Sequence, residues 1–227
     1  VEGIYLNIEI DQTKITIDIV SDVMCPWCYI GKRRLESALA ELDDTVNAKV
    51  QWMPYQLDAT LPKEGKDRKQ YFIDKFGSIE AYQRVYEPIH QAGAAEGIPF
   101  KLDDIPVSPN TLDAHRIIHW AGQEYGLDVQ DKLVSILMRF FFEEAKHIGD
   151  NDVLVEAARL AGMGADYIRE RLEGDDDKDL IATQIKSMQE LGVTGVPFFI
   201  INKKYALQGA QSKSNIIKVI QDIISKE

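Results

Sequence analysis

A chain of 227 residues, 45% hydrophobic and 28% charged, has the make-up of an ordinary globular protein and is long enough for one large domain or a domain with an insertion. Its 26 basic against 37 acidic residues leave a net charge of −11, the wrong sign for following a phosphate backbone, so nucleic acid is not an expected partner. No apolar run approaches the roughly 18 residues of a membrane span. Residues 1–10 have no basic start and no unbroken apolar core, which is not the pattern of a secretory signal, so no membrane partner is expected and the cytoplasm is the expected compartment.

The first element is a β-branched stretch, residues 15–20, that alternates apolar and polar and predicts a strand. After Ser21-Asp22-Val23-Met24 comes Cys25-Pro26-Trp27-Cys28, which holds the only two cysteines of the chain. Residues 26–42 then read as helix, with Pro26 in the first turn, where a missing N–H costs nothing. A strand, a short loop and C-x-x-C opening a helix is the setting in which two thiols do redox chemistry. The helix N-terminus favours a thiolate at Cys25, and Cys28, one turn further in, can reach back to attack a mixed disulfide formed there. In the cytoplasm structural disulfides are rare, which favours a redox-active pair over a static bridge.

Two other readings compete. Structural zinc takes about four ligands, and no second C-x-x-C exists; His115 and His119, four apart on a predicted helix, are distant in sequence, so no metal is expected. Two buried, inert cysteines are common in cores, but the proline between them argues for a placed motif.

Residues 48–53 predict a second strand, ended by Pro54. From there to about residue 178 the pattern is helical, with no run that alternates like a strand. Residues 78–95 carry Tyr82, Val85, Tyr86 and Ile89 at three-four spacing, and Pro88 within them predicts a kink or an end. Asn110 is placed to cap a helix carrying Leu112, Ile117 and Ile118. Residues 129–146 follow, their stripe including Phe140 and Phe141; the run Phe140-Phe141-Phe142 is assigned to the core rather than to a peptide groove. Asp150 or Asn151 caps a helix over 152–161, residues 165–172 add a turn or two, and 173–177 read as a solvated acidic loop.

The last block predicts a helix over 180–191, a strand over 198–201, a hairpin turn, a partner strand over 205–208 and a closing helix over 213–224. Ahead of the strand stands Gly192-Val193-Thr194-Gly195-Val196-Pro197. Proline is tolerated at the first residue of a strand, and X-Pro is the bond that adopts cis at modest cost. A cis proline would leave the preceding N–H and C=O free to pair with an extended substrate.

Together ITIDIVSDVMCPWCYIGKRRLE, WMPYQLD, AGAAEGI, PNTLDAHR, HIGDNDVL and GVTGVPFFIIN…GAQS resemble the thioredoxin-fold thiol oxidoreductases of the DsbA superfamily, nearest to the FrnE-like branch described as predicted dithiol–disulfide isomerases. The resemblance implies an α/β thioredoxin fold interrupted by an inserted all-helical subdomain, with boundaries at 13–60, 61–178 and 179–227. It implies Cys25 as nucleophile, Cys28 as resolving thiol and Pro197 in cis. It also implies a buried acid on the first strand, three residues before the serine of the pre-motif loop, an offset that Asp18 fits from Ser21.

Other residues carry two readings. Trp27 and Pro26 can line a substrate groove, with Val196 holding substrate backbone, or Trp27 simply packs. His115 can face the thiols and stabilise a thiolate, or is a satisfied helical histidine. Arg33 and Arg34 are assigned to solvated surface. The expected function is thiol–disulfide oxidoreductase or isomerase activity, with protein or small-molecule thiols and disulfides, glutathione among them, as partners and no cofactor, since the electrons stay on sulfur. A glutathione-dependent isomerase or transferase of the kappa type is the alternative enzyme; a holdase-like chaperone activity is compatible with either.

Overall fold

The computed structural model describes residues 13–42 and 44–226; residues 1–10, read above as lacking a secretory signal, lie outside them. In chain order the elements are β1 (Thr13–Ser21), α1 (Pro26–Glu41), β2 (Val46–Pro54), β3 (Lys66–Asp67), α2 (Arg68–Phe76), α3 (Ile79–Ala95) and β4 (Val107–Ser108). Then come α4 (Leu112–Trp120), α5 (Leu127–Phe142), α6 (Asn151–Ala161), α7 (Ala165–Glu173), α8 (Lys178–Glu190), β5 (Phe198–Ile201), β6 (Tyr205–Gln208) and α9 (Lys213–Ile224).

The main sheet has the order β2-β1-β5-β6. β1 lies in its middle because Ile15, Ile17 and Ile19 bury one face while Thr16 and Asp18 stay half-buried on the other. It runs parallel to β2, from Thr13 opposite Val46 to Ser21 opposite Pro54, and antiparallel to β5, with Val20 opposite Phe198. A parallel pair needs a crossover, and α1 supplies it. Leu35 and Ala38 of α1 enter the same core as Ile216, Ile220 and Ile223 of α9. The β5–β6 turn has positive φ at Asn202 and Lys203, the backbone twist that tight hairpins favour. Asn202 is tied to β1, its side chain accepting from the Thr16 N–H at 2.9 Å.

All of α2 to α7 falls between β2 and α8, so the thioredoxin fold is interrupted by a helical insertion. The insertion is helical apart from one two-residue ladder, β3 with β4, which is too short to leave an alternating pattern. Pro88 does not end α3. It is solvent-facing, and so is Arg84, whose carbonyl loses its helical donor to the proline; water can take the place of the missing N–H. On that helix Tyr86 and Ile89 are buried, but Val85 is 42% exposed and leaves the stripe predicted for it. The start of α4 lies one residue later than expected. Thr111 occupies the cap position, while Asn110 Oδ1 accepts from the Leu112 N–H and its amide donates to the Leu61 carbonyl. Asp150 caps α6. Phe140, Phe141 and Phe142 are fully buried core.

The acidic loop 173–177 departs from the expectation of a simply solvated segment. Its Glu173, Asp175 and Asp176 side chains are exposed, but its backbone carries a buried guanidinium. Arg116 of α4, fully buried, donates to the carbonyls of Arg171, Gly174 and Asp176 and to the Asp113 carboxylate at 2.6–3.0 Å. The adjacent Trp120 indole donates to Asp177. No helix among the described residues is long and apolar enough to cross a membrane.

Candidate active site

Cys25 is the residue before the first turn of α1, with extended backbone angles, and Pro26 occupies the first turn. No acidic side chain sits in that turn, and the positive end of the helix dipole lies beside the sulfur. The Cys25 N–H donates to the Asp22 carbonyl, and the Cys28 N–H donates back to the Cys25 carbonyl, both at 3.0 Å. Both thiols are free, with Cys25 5% and Cys28 1% exposed. The Cys25 thiol points across the cleft to the Val196 carbonyl, 3.7 Å away. The Val196–Pro197 peptide bond is cis.

The close seat of Pro197 on α1 depends on a residue the sequence reading passed over. A Cβ at Gly31 would lie 2.8 Å from Pro197 Cγ and 3.5 Å from the Phe199 ring. Gly31 stands three residues after Cys28, on the same helix face, and that spacing was the one available signal. Gly31→Ala is therefore expected to push the Pro197 loop off the helix, lowering stability by about 1–3 kcal/mol and slowing thiol exchange at Cys25. Urea unfolding and an exchange assay on the same variant check both; unchanged values in both would contradict the steric account.

Burial is the main force that lifts the Cys28 thiol well above its ordinary value, and the neighbouring Cys25 adds to it. The Ser21 hydroxyl and the Asp22 backbone act in the opposite sense without overcoming burial. Cys28 thus stays protonated at neutral pH.

Asp18, the acid that the resemblance implies, is less buried than the name of that role suggests. It sits in mid-strand between Gln51 and Ile200, half-buried, where burial raises its carboxyl and Lys203 is the charge that opposes this. The buried acid of the site is Asp22, just past the end of β1. Asp22 is fully buried, and its carboxylate accepts from the Met24 N–H at 3.3 Å and the Leu57 N–H at 2.8 Å. The first of these closes a turn two residues on, a habit of aspartate that was readable in Ser21-Asp22-Val23-Met24. His115 reaches the same carboxylate from α4: its Nε2 lies 3.6 Å from Asp22 Oδ1, and it has no hydrogen-bond partner. His115 is thus brought to the floor of the motif, whereas His119 faces Asp177, Arg171 and Glu124. Among the described residues no group of three or more His, Cys, Asp or Glu is placed to hold a metal ion.

Trp27 and Val196 are half-buried, packed against the core with one face left open, and Pro26 is half-buried beside them. Arg33 is exposed as expected; Arg34 is not a free surface residue, since it donates to Glu96 and to the Ala210 carbonyl at 2.7 Å each.

A four-stranded mixed sheet, C-x-x-C at the head of its first crossover helix and an X-Pro bond beside the first cysteine define a thioredoxin-fold protein. The chain matches the DSBA-like thioredoxin domain family over residues 16–221 and belongs to that family. It is 27% identical over 216 residues to YwbO, an uncharacterized protein of Bacillus subtilis (strain 168), covering 91% of this chain and 96% of the relative. It is also similar to the crystal structure of a "probable DsbA oxidoreductase" from Streptomyces coelicolor, with 28% identity, a TM-score of 0.85, and 94% and 91% of the two chains covered. The cytosolic disulfide reductase DsbM from Pseudomonas aeruginosa, solved with GSH, shares the fold at 16% identity and a TM-score of 0.65, over 92% of this chain and 99% of that one. Family and neighbours point to thiol–disulfide oxidoreductase chemistry.

Proposed function

We propose that the protein exchanges protein or small-molecule dithiols and disulfides through Cys25 and Cys28, as a FrnE-like member of its family working in the cytoplasm. The observation that carries this reading is the Cys25 sulfur, at the open positive end of α1 and facing the Val196 carbonyl at 3.7 Å. In the reducing direction the Cys25 thiolate attacks one sulfur of a substrate disulfide; that bond breaks, and the departing thiolate takes up a proton. Cys28 then gives up its proton and attacks Cys25, releasing the second substrate thiol and leaving a Cys25–Cys28 disulfide. Two electrons have passed to the substrate. The reverse sequence oxidises a substrate dithiol.

Val196 and Pro197 would hold the backbone of an extended substrate, with Trp27 and Pro26 as an apolar wall. The buried Asp22 carboxylate, with His115 Nε2 3.6 Å from it, is the polar group that would orient the loop carrying the cysteines. Glutathione fits as one small-molecule partner, reacting covalently at Cys25 and expelled by Cys28.

The test is activity in reducing insulin or oxidising a dithiol peptide, which the double variant Cys25→Ser/Cys28→Ser should lose entirely. A kappa-type enzyme activates glutathione without a resolving thiol. Saturable micromolar glutathione binding to the double variant, or isomerase turnover that survives Cys28→Ser, would replace the exchange reading with that one.

A further inference from the structure

β2 is an edge strand of the main sheet, and its outer side is closed at both ends but not between them. At the foot, the Val46 N–H donates to the Leu42 carbonyl at 2.9 Å. At the head, the buried Gln130 of α5 acts as one residue of a neighbouring strand. Its Oε1 accepts from the Trp52 N–H at 2.9 Å, and its amide donates to the Trp52 carbonyl at 3.3 Å. Backbone groups of a strand alternate sides, so Ala48 and Val50, which lie between these two, also direct their N–H and C=O outward. There they have no hydrogen-bond partner among the described residues. Both residues are half-buried and line a cleft of about 1080 Å3 between α1, β2 and the start of α5. A sheet edge with four unpaired backbone groups inside a cleft is a template for another extended chain.

The lining indicates the kind of chain. Ala48 and Val50 pack their side chains against the core together with Leu39, and Leu127 adds a second apolar surface to the cleft. Glu36, Asp128 and Asp131 line it as well. The side chains of Glu36 and Asp131 are 42% and 40% exposed and share the buried Lys32 Nζ at 2.6 and 2.8 Å. Arg33 reaches Glu36 at 3.4 Å, and Asp128 is exposed on the first turn of α5, so three acids face two bases. We propose that the outer edge of β2 binds an extended segment of a partner protein that carries lysine or arginine at alternate positions. Its backbone pairs with Ala48 and Val50. Its basic side chains lay their methylene stems on Leu39 and Leu127 and end at Glu36, Asp128 and Asp131. A second copy of the chain fits less well, because the register that uses Ala48 and Val50 of both copies sets the two Lys49 side chains directly opposite each other. The residues ahead of β1 also fit less well, since they carry Glu2, Glu9 and Asp11 and no lysine or arginine. The inference does not rest on thiol exchange, and Cys25→Ser/Cys28→Ser should bind the same segment unchanged.

The experiment is calorimetric titration of the full chain with a capped hexapeptide that alternates threonine and lysine. It should bind saturably, and the same peptide with glutamate in place of lysine at least about tenfold more weakly. N-methylation of every second amide, in either phase, gives two further peptides of unchanged charge. Amides of one phase alone face β2, so that peptide should lose at least about tenfold, and the other should stay within about threefold of the parent. Val50→Pro removes one outward N–H at an edge position and should weaken the lysine peptide about three- to tenfold. Because proline also fixes a backbone angle of β2, Asp128→Asn provides a second reading and should weaken the lysine peptide about two- to fivefold while leaving the unfolding midpoint unchanged. No saturable binding, equal binding of the lysine and glutamate peptides, equal binding of the two methylated phases, or affinity indifferent to both variants would overturn the proposal. So would a dimer that Val50→Pro dissociates, which gives the edge to a second copy, or peptide binding that appears only once residues 1–12 are removed, which gives it to the chain itself.

Discussion

Cys28→Ser is expected to trap the enzyme on its substrate. Cys25 remains able to open a disulfide, but nothing inside the protein can expel the mixed disulfide that results, so it should accumulate and be visible by mass spectrometry under non-reducing conditions. Cys25→Ser should form no adduct, because Cys28 is buried and held as a thiol by that burial. The same asymmetry should appear as a pH dependence. The Cys28 thiol stands well above its ordinary value, so its thiolate fraction at neutral pH is smaller than that of a free cysteine. Raising the pH should bring Cys28 into reaction with iodoacetamide only in the alkaline range, long after Cys25 has been consumed. Equal alkylation of the two cysteines at neutral pH would sink the division of labour between nucleophile and resolving thiol.

Arg116→Met should cost the fold about 3–5 kcal/mol, a large share of the roughly 5–15 kcal/mol that keeps a domain folded. The substitution preserves much of the bulk against Trp120 but strands the Asp113 carboxylate and the carbonyls of Arg171, Gly174 and Asp176 without their donor. Arg116→Lys should recover only part of the loss, since a single ammonium cannot reach a carboxylate and three carbonyls that a planar guanidinium spans. The midpoint of urea unfolding checks both variants; a change below about 1 kcal/mol for Arg116→Met would show that the acidic loop holds itself.

What was legible was legible because it is local. Cys25 before Pro26 at the head of a helix, the alternation of residues 15–20, and the apolar stripe of α5 follow from propensity and spacing within a few residues. The C-x-x-C and the Val196–Pro197 pair are far apart in the chain, and it was the resemblance to a family, not periodicity, that joined them. Asp18 and Asp22 show what spacing leaves open. Alternation says which face of β1 a side chain takes, but not which of two acids four residues apart ends up beneath the cysteine loop. Asp22 does so because β1 runs on to Ser21, and the chain turns only there.

The sequence by itself determined the chemistry of this protein: two thiols one helical turn apart, and a strand–helix order that presents the first at a positive helix end. Tertiary structure alone decided the surroundings of that chemistry. His115 meets Asp22, Pro197 rests on Gly31, Arg116 collects three carbonyls, and Arg68 is buried against the rings of Phe141 and Tyr86. None of these can be read from spacing, because the partners are distant in the chain and several are backbone carbonyls or bare glycine Cα atoms. Such groups are the same at every position, and only the packing of α4, α2 and the β5 loop against the sheet picks out the ones that matter.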